Sequence, residues 1–576
     1  MAVIKELNRR GVVRAAAMYV AIAWGGTEIL VFLIDALQGE QVSSPARKYL
    51  AVLFIAGFPV AMYLAWTRDL GLQARRIVAA GAMAAALVAL LIWLLPNPAT
   101  TPNVTAPQFA DINPKSIAVL PFVNMSGDED NIYFSHGMSE ELLNVLARIP
   151  GLKVSSRTSS FHFAGRDVPL GEIAAKLAVR HILEGSVRRI GNNVRITAQL
   201  IDAKTDTHLW SETYDREVLD TFAVQGEIAA MIVGQLQLNL VNPIRSGRPT
   251  ENEEAFDKYL RGWHFMRQGW NRDEFLAARK YFAEAVELDP EFAQAHALLS
   301  LTETSLGNFR HLAPKDIFPA AYASATAAIA LDETSPEAHI AMGWLALSYQ
   351  FDWEKAAKEF RRAIELAPSN FIGYNGLSFA LQTGGRLDEA LVASKRVFEL
   401  DPMMVWSRNG QAEVYFKQRQ YDAGLEQVLV MLEMQPDDPL MLTWVGSFYA
   451  AKGMSAEALE YGRQAARVAA GDPNIDLMLA GQHAKLGNEA EARKLLQQAM
   501  AQRDSKYVSP GTIAIVHTHL GEHEEAIEWL YVAVDEFDSF IFNLNYPDFD
   551  ALRSEPRFIE LCAQLRMPCA EKWDDR

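Results

Sequence analysis

From about residue 251 onward the sequence keeps a fixed period, and a period restricts the possible folds more than any single motif does. The tetrads "ELDP" at 287–290, "ELAP" at 365–368, "ELDP" at 399–402 and "EMQP" at 433–436 set it: Pro368 to Pro402 is 34 residues, and Pro402 to Pro436 is 34 again. Twelve positions before these prolines stand the small residues Ala278, Ala356, Ala390 and Gly424, and five before stand Ala285, Ala363, Val397 and Met431. The glycine-to-alanine spacing returns at Gly487, Ala492 and Ala499, and at Gly521, Ala526 and Ala533. A unit this short is a helical hairpin that cannot bury its own apolar stripe, so it must stack on its neighbours. Small residues let the paired helices approach, while Phe282, Phe360, Leu377 and Leu530 are expected to pack against the next unit. Proline then ends the second helix and turns the chain.

This period, with the spacing Tyr374-Leu377…Gly385…Ala390…Pro402, resembles the tetratricopeptide repeat. The resemblance implies an all-α superhelix, an α-solenoid of about eight units over residues 251–545 with an insertion near 307–318. Its inner surface, lined by first helices, would hold a peptide or a partner protein. Groove-facing positions then fall at Asn375, Phe379 and Gln382, at Trp406, Asn409, Glu413 and Phe416, and at Thr443 and Ser447. Asn375 and Asn409 are the most suggestive, because paired amides can grip a ligand's backbone; ordinary solvated helix positions are the plainer alternative. The final "YPDFDALRSEPRFIELCAQL" is expected to cap the exposed end of the stack, with a tail to residue 576. Cys562 and Cys569 are the two cysteines of the chain, and they suit either a bridge in an oxidising compartment or two ordinary thiols. His517, His519 and His523 invite a zinc site, but His517 and His519 face different sides of a helix and Gly521 interrupts it before His523.

Residues 1–95 carry a different signature. Residues 77–95, "IVAAGAMAAALVALLIWLL", and 50–66, "LAVLFIAGFPVAMYLAW", hold no charge. The stretch 12–34 is apolar apart from Arg14, which can snorkel outward, and the deeper Glu28. These lengths predict three transmembrane helices. Lys5, Arg9 and Arg10 precede the first, Arg68, Arg75 and Arg76 separate the second from the third, and no basic residue follows Leu95 until Lys115. Positive residues stay inside, which places the amino terminus in the cytoplasm of an inner membrane and the chain after about residue 95 in the periplasm. If 12–34 only lies on the surface, that sidedness reverses.

Residues 96–112 are rich in Pro, Thr and Asn and predict a flexible linker. A small α/β domain is expected over 113–240. "IAVLPF" reads as a buried strand, and Met138, Leu142, Leu146 and Ile149 as one face of a helix capped by Ser139 with Glu140 and Glu141. "LKVSSRTSS" suggests a second strand and "LGEIAAKLAV" a second helix. Two alternating runs around Gly191-Asn192-Asn193 form a hairpin, "THLWSETYDRE" adds a strand, and a helix from "TFAVQGEIAAM" ends the domain. "NMSGDED" has one glycine and three carboxylates, Asp128, Glu129 and Asp130, so it suits neither a phosphate cradle nor a calcium loop. His136 has no nucleophile paired with it in the sequence pattern.

The stretches "SIAVLPFVNMSGDEDNIYFSHGMSEELLNVLARIPGLKVSSRTSSF" and "HILEGSVRRIGNNVRITAQLIDAKTDTHLWSETYDRE" resemble the TolB amino-terminal-like (FlgO-like) domain, which in many bacterial proteins precedes tetratricopeptide repeats. "IKELNRRGVVRAAAMYVAIAW" resembles the membrane leader of that family. Some relatives add an adenylate cyclase or a winged-helix domain; this chain is expected to have neither, and the resemblance supplies no active-site residues. It implies an accessory or sensory role.

The formal net charge is −17, and residues 251–576 hold 31 Lys and Arg against 50 Asp and Glu, a balance unsuited to a nucleic-acid partner. No nucleophile elbow, zinc-protease motif or dinucleotide fingerprint occurs, so no catalytic residue, cofactor or metal is assigned. The expected molecule is a multidomain, membrane-integral, non-enzymatic scaffold or sensor binding a protein or peptide. The alternatives are a regulator acting in trans on a signalling enzyme or transcription factor, and a nucleotide-binding or hydrolytic α/β domain. Partner and oligomeric state are left open.

Overall fold

A computed structural model describes residues 112–126, 131–166, 168–238, 249–268, 271–309 and 311–570. The expected spans at 12–34, 50–66 and 77–95, nearly all of the linker, and Asp128, Glu129 and Asp130 lie outside these residues. Among the described residues no helix is long and apolar enough to cross a membrane.

The first layer is a sheet of order β3-β1-β4-β5-β6, with the short β2 also on β4. Strand β1 (Ser116–Val119) is buried throughout and runs parallel to β3 (Lys153–Val154) and β4 (His181–Ile190). Strand β2 is Val123–Asn124. Parallel neighbours need crossovers, which α1 (Ile132–Ala147), α2 (Arg157–Phe161) and α3 (Leu170–Leu177) provide. Strands β4, β5 (Asn193–Asp202) and β6 (Thr207–Glu217) form an antiparallel meander, with Gly191 at φ +60° in the first turn. Helix α4 (Thr221–Gln235) completes the unit.

Two local expectations are corrected. Helix α1 starts at Ile132, so Ser139 is not its cap. Ser139 is buried mid-helix, where its hydroxyl donates to the Ser135 carbonyl at 3.0 Å and accepts from the Phe122 N–H at 2.8 Å. The predicted strand over "LKVSSRTSS" is cut to two residues because the Ser156 hydroxyl accepts from the Ser159 N–H and caps α2 instead.

From Glu253 the chain forms eight helical hairpins among the described residues. They are α5 (Glu253–Gln268) with α6 (Arg272–Leu288), α7 (Ala293–Asn308) with α8 (Pro314–Leu331), α9 (Pro336–Ser348) with α10 (Trp353–Leu366), and α11 (Phe371–Thr383) with α12 (Leu387–Leu400). There follow α13 (Asn409–Lys417) with α14 (Tyr421–Met434), α15 (Pro439–Ala451) with α16 (Ser455–Val468), α17 (Pro473–Lys485) with α18 (Glu489–Met500), and α19 (Pro510–His519) with α20 (His523–Asp535). Stacking rests on large rings set against residues without side chains. A Cβ on Gly343 of α9 would come within 2.7 Å of the Phe360 ring of α10, and one on Gly376 of α11 within 2.2 Å. Gly307 meets Phe318, and Gly424 meets Phe448, in the same way.

The α/β unit and the repeats share one core rather than standing apart. Leu142, Leu146, Val187, Ile196 and Ile228 belong to the same buried cluster as Phe256, Leu260, Phe282 and Phe360. Polar contacts then follow the edge where one hairpin passes to the next. Arg148 pairs with Glu337 at 3.3 Å, and the Ser369 hydroxyl donates to the Leu152 carbonyl at 2.8 Å. The Ser156 N–H donates to the Leu400 carbonyl at 2.8 Å, and the Ser159 hydroxyl to Asp401 at 2.6 Å. At the same junction the Tyr259 hydroxyl donates to Glu141 at 2.8 Å.

Overpacking a close-packed core costs about 1–3 kcal/mol. Gly376→Ala is therefore expected to lower stability by about that much in urea unfolding, with Phe360→Leu in the same chain restoring part of it. Burial pushes the Glu141 carboxyl up to about 7, with Glu337 and Glu140 adding to this against the Tyr259 hydrogen bond. A carboxyl raised on folding stabilises the folded chain below its unfolded pKa, and that contribution is lost as pH rises through 7. Glu141→Gln should flatten the fall in stability between about pH 5 and pH 8 by roughly 2 kcal/mol, measured by denaturant titration across that range.

Candidate functional site

The inner face predicted to receive a partner is built from the first helix of each hairpin. Asn375, Phe379 and Gln382 stand on α11, and Trp406 lies in the 3-10 turn Val405–Arg408 that leads into α13. Asn409, Glu413 and Phe416 are on α13, with Thr443 and Ser447 on α15. The structure therefore brings these residues to neighbouring helices, as the period requires. It does not leave them open. Gln382, Glu413, Phe416 and Thr443 are buried, and Trp406, Asn409 and Ser447 are half-buried. Asn375 and Phe379 are half-buried as well, with the Phe379 ring 5.7 Å from that of Trp344. For the four buried residues, the expectation of a partner-facing position is corrected.

What covers them is the chain's own end. Residues 537–569 pack on α20 through α21 (Pro556–Gln564), as a cap would, but they also turn back across the inner face. Phe537 meets the rings of Phe318, Tyr349 and Phe351 at 5.3–6.1 Å. The Asn545 amide donates to the Gln382 carbonyl at 2.5 Å. Tyr546 sets its ring 5.5 Å from Phe416 and 6.3 Å from Trp444, with the Lys417 ammonium 5.1 Å above it. Asp548 accepts from Lys485 at 2.7 Å and lies 2.9 Å from His519 Nε2. Asp550 pairs with Arg419 at 2.5 Å, and the Trp353 indole donates to the Arg566 carbonyl at 2.7 Å. Phe549, Leu552, Phe558 and Leu561 are fully buried in one cluster with Phe416, Val445 and Leu530.

The turn at residues 545–550 is held from within by Arg553. Its guanidinium donates to the carbonyls of Asn545, Tyr546 and Cys569 and to the Asp550 carboxylate. Cys562 and Cys569 are joined in a disulfide, so of the two alternatives the bridged one is present.

Buried charge follows this segment. Burial works against ionisation of Asp548, but Lys485 and His519 overcome it and hold the carboxyl well below the ordinary range. Burial raises the Glu413 carboxyl, opposed by Lys417, and lowers the Lys417 ammonium to about 8, opposed by Glu413. The three histidines considered for zinc pair with three separate carboxylates: His517 with Glu522, His519 with Asp548, and His523 with Glu555. Among the described residues no group of three or more His, Cys, Asp or Glu is placed to hold a metal ion. His136 lies half-buried in α1, edge-on to Phe161 at 5.4 Å, its pKa lowered to about 4 by burial and by Arg157 and His264.

Sequence inspection missed the returning segment. A signal was present: Phe540, Ile541, Leu544, Tyr546, Phe549 and Leu552 precede the capping helix, more apolar residues than a one-helix cap can bury. The aromatic inner face, with Trp406, Phe416 and Trp444, pointed the same way.

Residues 409–475 match the tetratricopeptide repeat family, so this part of the chain carries tetratricopeptide repeats. It is 39% identical over 253 residues to a protein named putative adenylate cyclase 3 of Rhizobium meliloti strain 1021; the match covers 43% of this chain and 43% of that relative. The chain thus spans less than half the length of the curated relative it matches. Among solved structures it is similar to a tetratricopeptide repeat protein from Parabacteroides merdae (14% identity, 47% of this chain and 100% of that one, TM-score 0.36) and to PilF of Pseudomonas aeruginosa (17% identity, 40% and 98%, TM-score 0.27).

Removing one partner of a buried ion pair costs about 3–5 kcal/mol. Asp548→Asn keeps the shape but leaves the half-buried Lys485 without its counter-charge, and it is expected to lower stability by less than that range, about 1–2 kcal/mol at neutral pH. Limited proteolysis should then cut near residue 537 faster than in the unmodified chain.

Proposed function

We propose that this chain is a membrane-anchored, non-enzymatic scaffold and sensor that binds a protein or peptide and acts in trans on a signalling enzyme of the adenylate cyclase type. Tetratricopeptide repeats serve protein interaction, and the observation carrying the sensor role is the core shared by the α/β unit and hairpins α5 to α11. A binding event on those hairpins cannot leave the docked unit unaffected, because packed cores transmit displacement instead of absorbing it. The name of the partial relative supports the link to a cyclase system.

In this proposal the three apolar stretches anchor the chain in the inner membrane, with the TolB-like unit and the repeats on the periplasmic side. The disulfide between Cys562 and Cys569 agrees with an oxidising compartment. Residues 537–569 cover the inner face at Phe416 and Trp444 and reach Gln382 on α11, so in this proposal the partner engages what remains of α11, at the half-buried Asn375 and Phe379.

A photo-reactive residue at position 375, irradiated in intact cells, should capture a protein partner, while one at the more enclosed position 409 should react within the chain. Absence of any captured protein from position 375 would sink the scaffold reading. An alkaline phosphatase fused after residue 110 should be active; an inactive fusion alongside a fluorescent one reverses the sidedness.

A further inference from the structure

The returning segment covers the inner face without filling it. Between it and α13, α15, α17 and α19 lies a cavity of about 240 Å³. Phe416 and Trp444 line it from the hairpins, and Phe540 and Tyr546 line it from the segment. Lys485, His519 and Asp548 stand at its polar side, and Glu413 also lines it.

These polar groups are not equally satisfied. Asp548 is held by Lys485 and His519 together. Glu413 is only 6% exposed, and its Oε2 makes no hydrogen bond. Lys417 compensates part of its charge from α13, and the side chains of Asn409 and Tyr546 also serve the carboxylate, which leaves Oε2 as the atom without a bond; Lys417 is not among the residues lining the cavity. An unpaired oxygen on a buried carboxylate is costly, and such groups are rare unless something else serves them. The unmet need is therefore for a donor. A carboxylate or phosphate ligand would meet Glu413 and find Lys485 and His519 already engaged by Asp548, whereas an ammonium gains a charged hydrogen bond and the faces of several rings.

We propose that this cavity binds a small amine with an apolar or aromatic body, its ammonium donating to Glu413 Oε2 and its body lying among Phe416, Trp444 and Tyr546. One wall comes from the repeats and the other from the chain's own end, so occupancy tightens the contact between them. The site stands apart from the partner surface around Asn375, and its test does not depend on which protein is bound there.

The full chain in mild detergent is titrated with benzylamine, phenethylamine and tyramine, and with phenylacetate and 3-phenylpropionate as charge-reversed controls. Melting midpoints and calorimetry are recorded for each. At least one amine should bind saturably and raise the melting midpoint by a few degrees, as a ligand selective for the folded state does, while the acids do neither. Glu413→Gln should weaken amine binding at least about tenfold, the loss of a charged hydrogen bond. Ser447→Leu, which fills the space from α15, should abolish it with the melting midpoint close to the parent. If Glu413→Gln fails to fold, Ser447→Leu decides. Failure of all three amines to bind, equal binding by the acids, or amine binding unchanged in Ser447→Leu overturns the proposal.

Discussion

Phe360 fits between α9 and α11 only because Gly343 and Gly376 have no side chain to obstruct it, and the rest of the molecule follows from that kind of contact. One hairpin cannot remove such a ring from water alone; two successive first helices must come close enough to enclose it. Repetition with Phe318 and Phe448 turns a local packing requirement into a long stack. The same stacking turns first helices toward one inner surface. That surface holds Phe416 and Trp444, apolar rings that favour being covered.

The chain meets this exposure with its own end. Residues 537–569 bury Phe549, Leu552, Phe558 and Leu561 against the last hairpins, and at roughly 2 kcal/mol per large apolar side chain the segment is a permanent part of the fold. Charges fix where it lies. Asp548 reaches both Lys485 and His519, and Asp550 reaches Arg419 nearer the surface, so a shift along the groove would break all three contacts. Arg553, bonded to three carbonyls, keeps the turn in the shape those pairs require.

The α/β unit lies along the earlier half of the stack, from the first hairpin to the passage after α12. Serines do much of the joining: Ser156, Ser159 and Ser369 satisfy backbone or carboxylate groups at the passages between hairpins. These short side chains demand close approach, which is why the unit rides on the repeats as one packed body. The docked unit and the early hairpins are thus connected through one packed core.

Much of this was legible in the residues themselves. The 34-residue spacing of Pro368, Pro402 and Pro436 determined the hairpins, their number and the helices that face inward, because helix length and small-residue spacing are local properties. Alternation around Gly191 determined the meander in the same way. The start of α1 was misplaced because Ser139 has the character of a cap, and only the distant Phe122 N–H explains its burial within a helix. What the tertiary structure decided was the fate of the inner face. Tyr546 reaches Phe416, and Asn545 reaches Gln382, across more than a hundred residues of chain, and no periodicity encodes which distant segment covers an apolar surface. Local sequence sets which side chains must leave water; the closing geometry of the stack sets which part of the chain they meet.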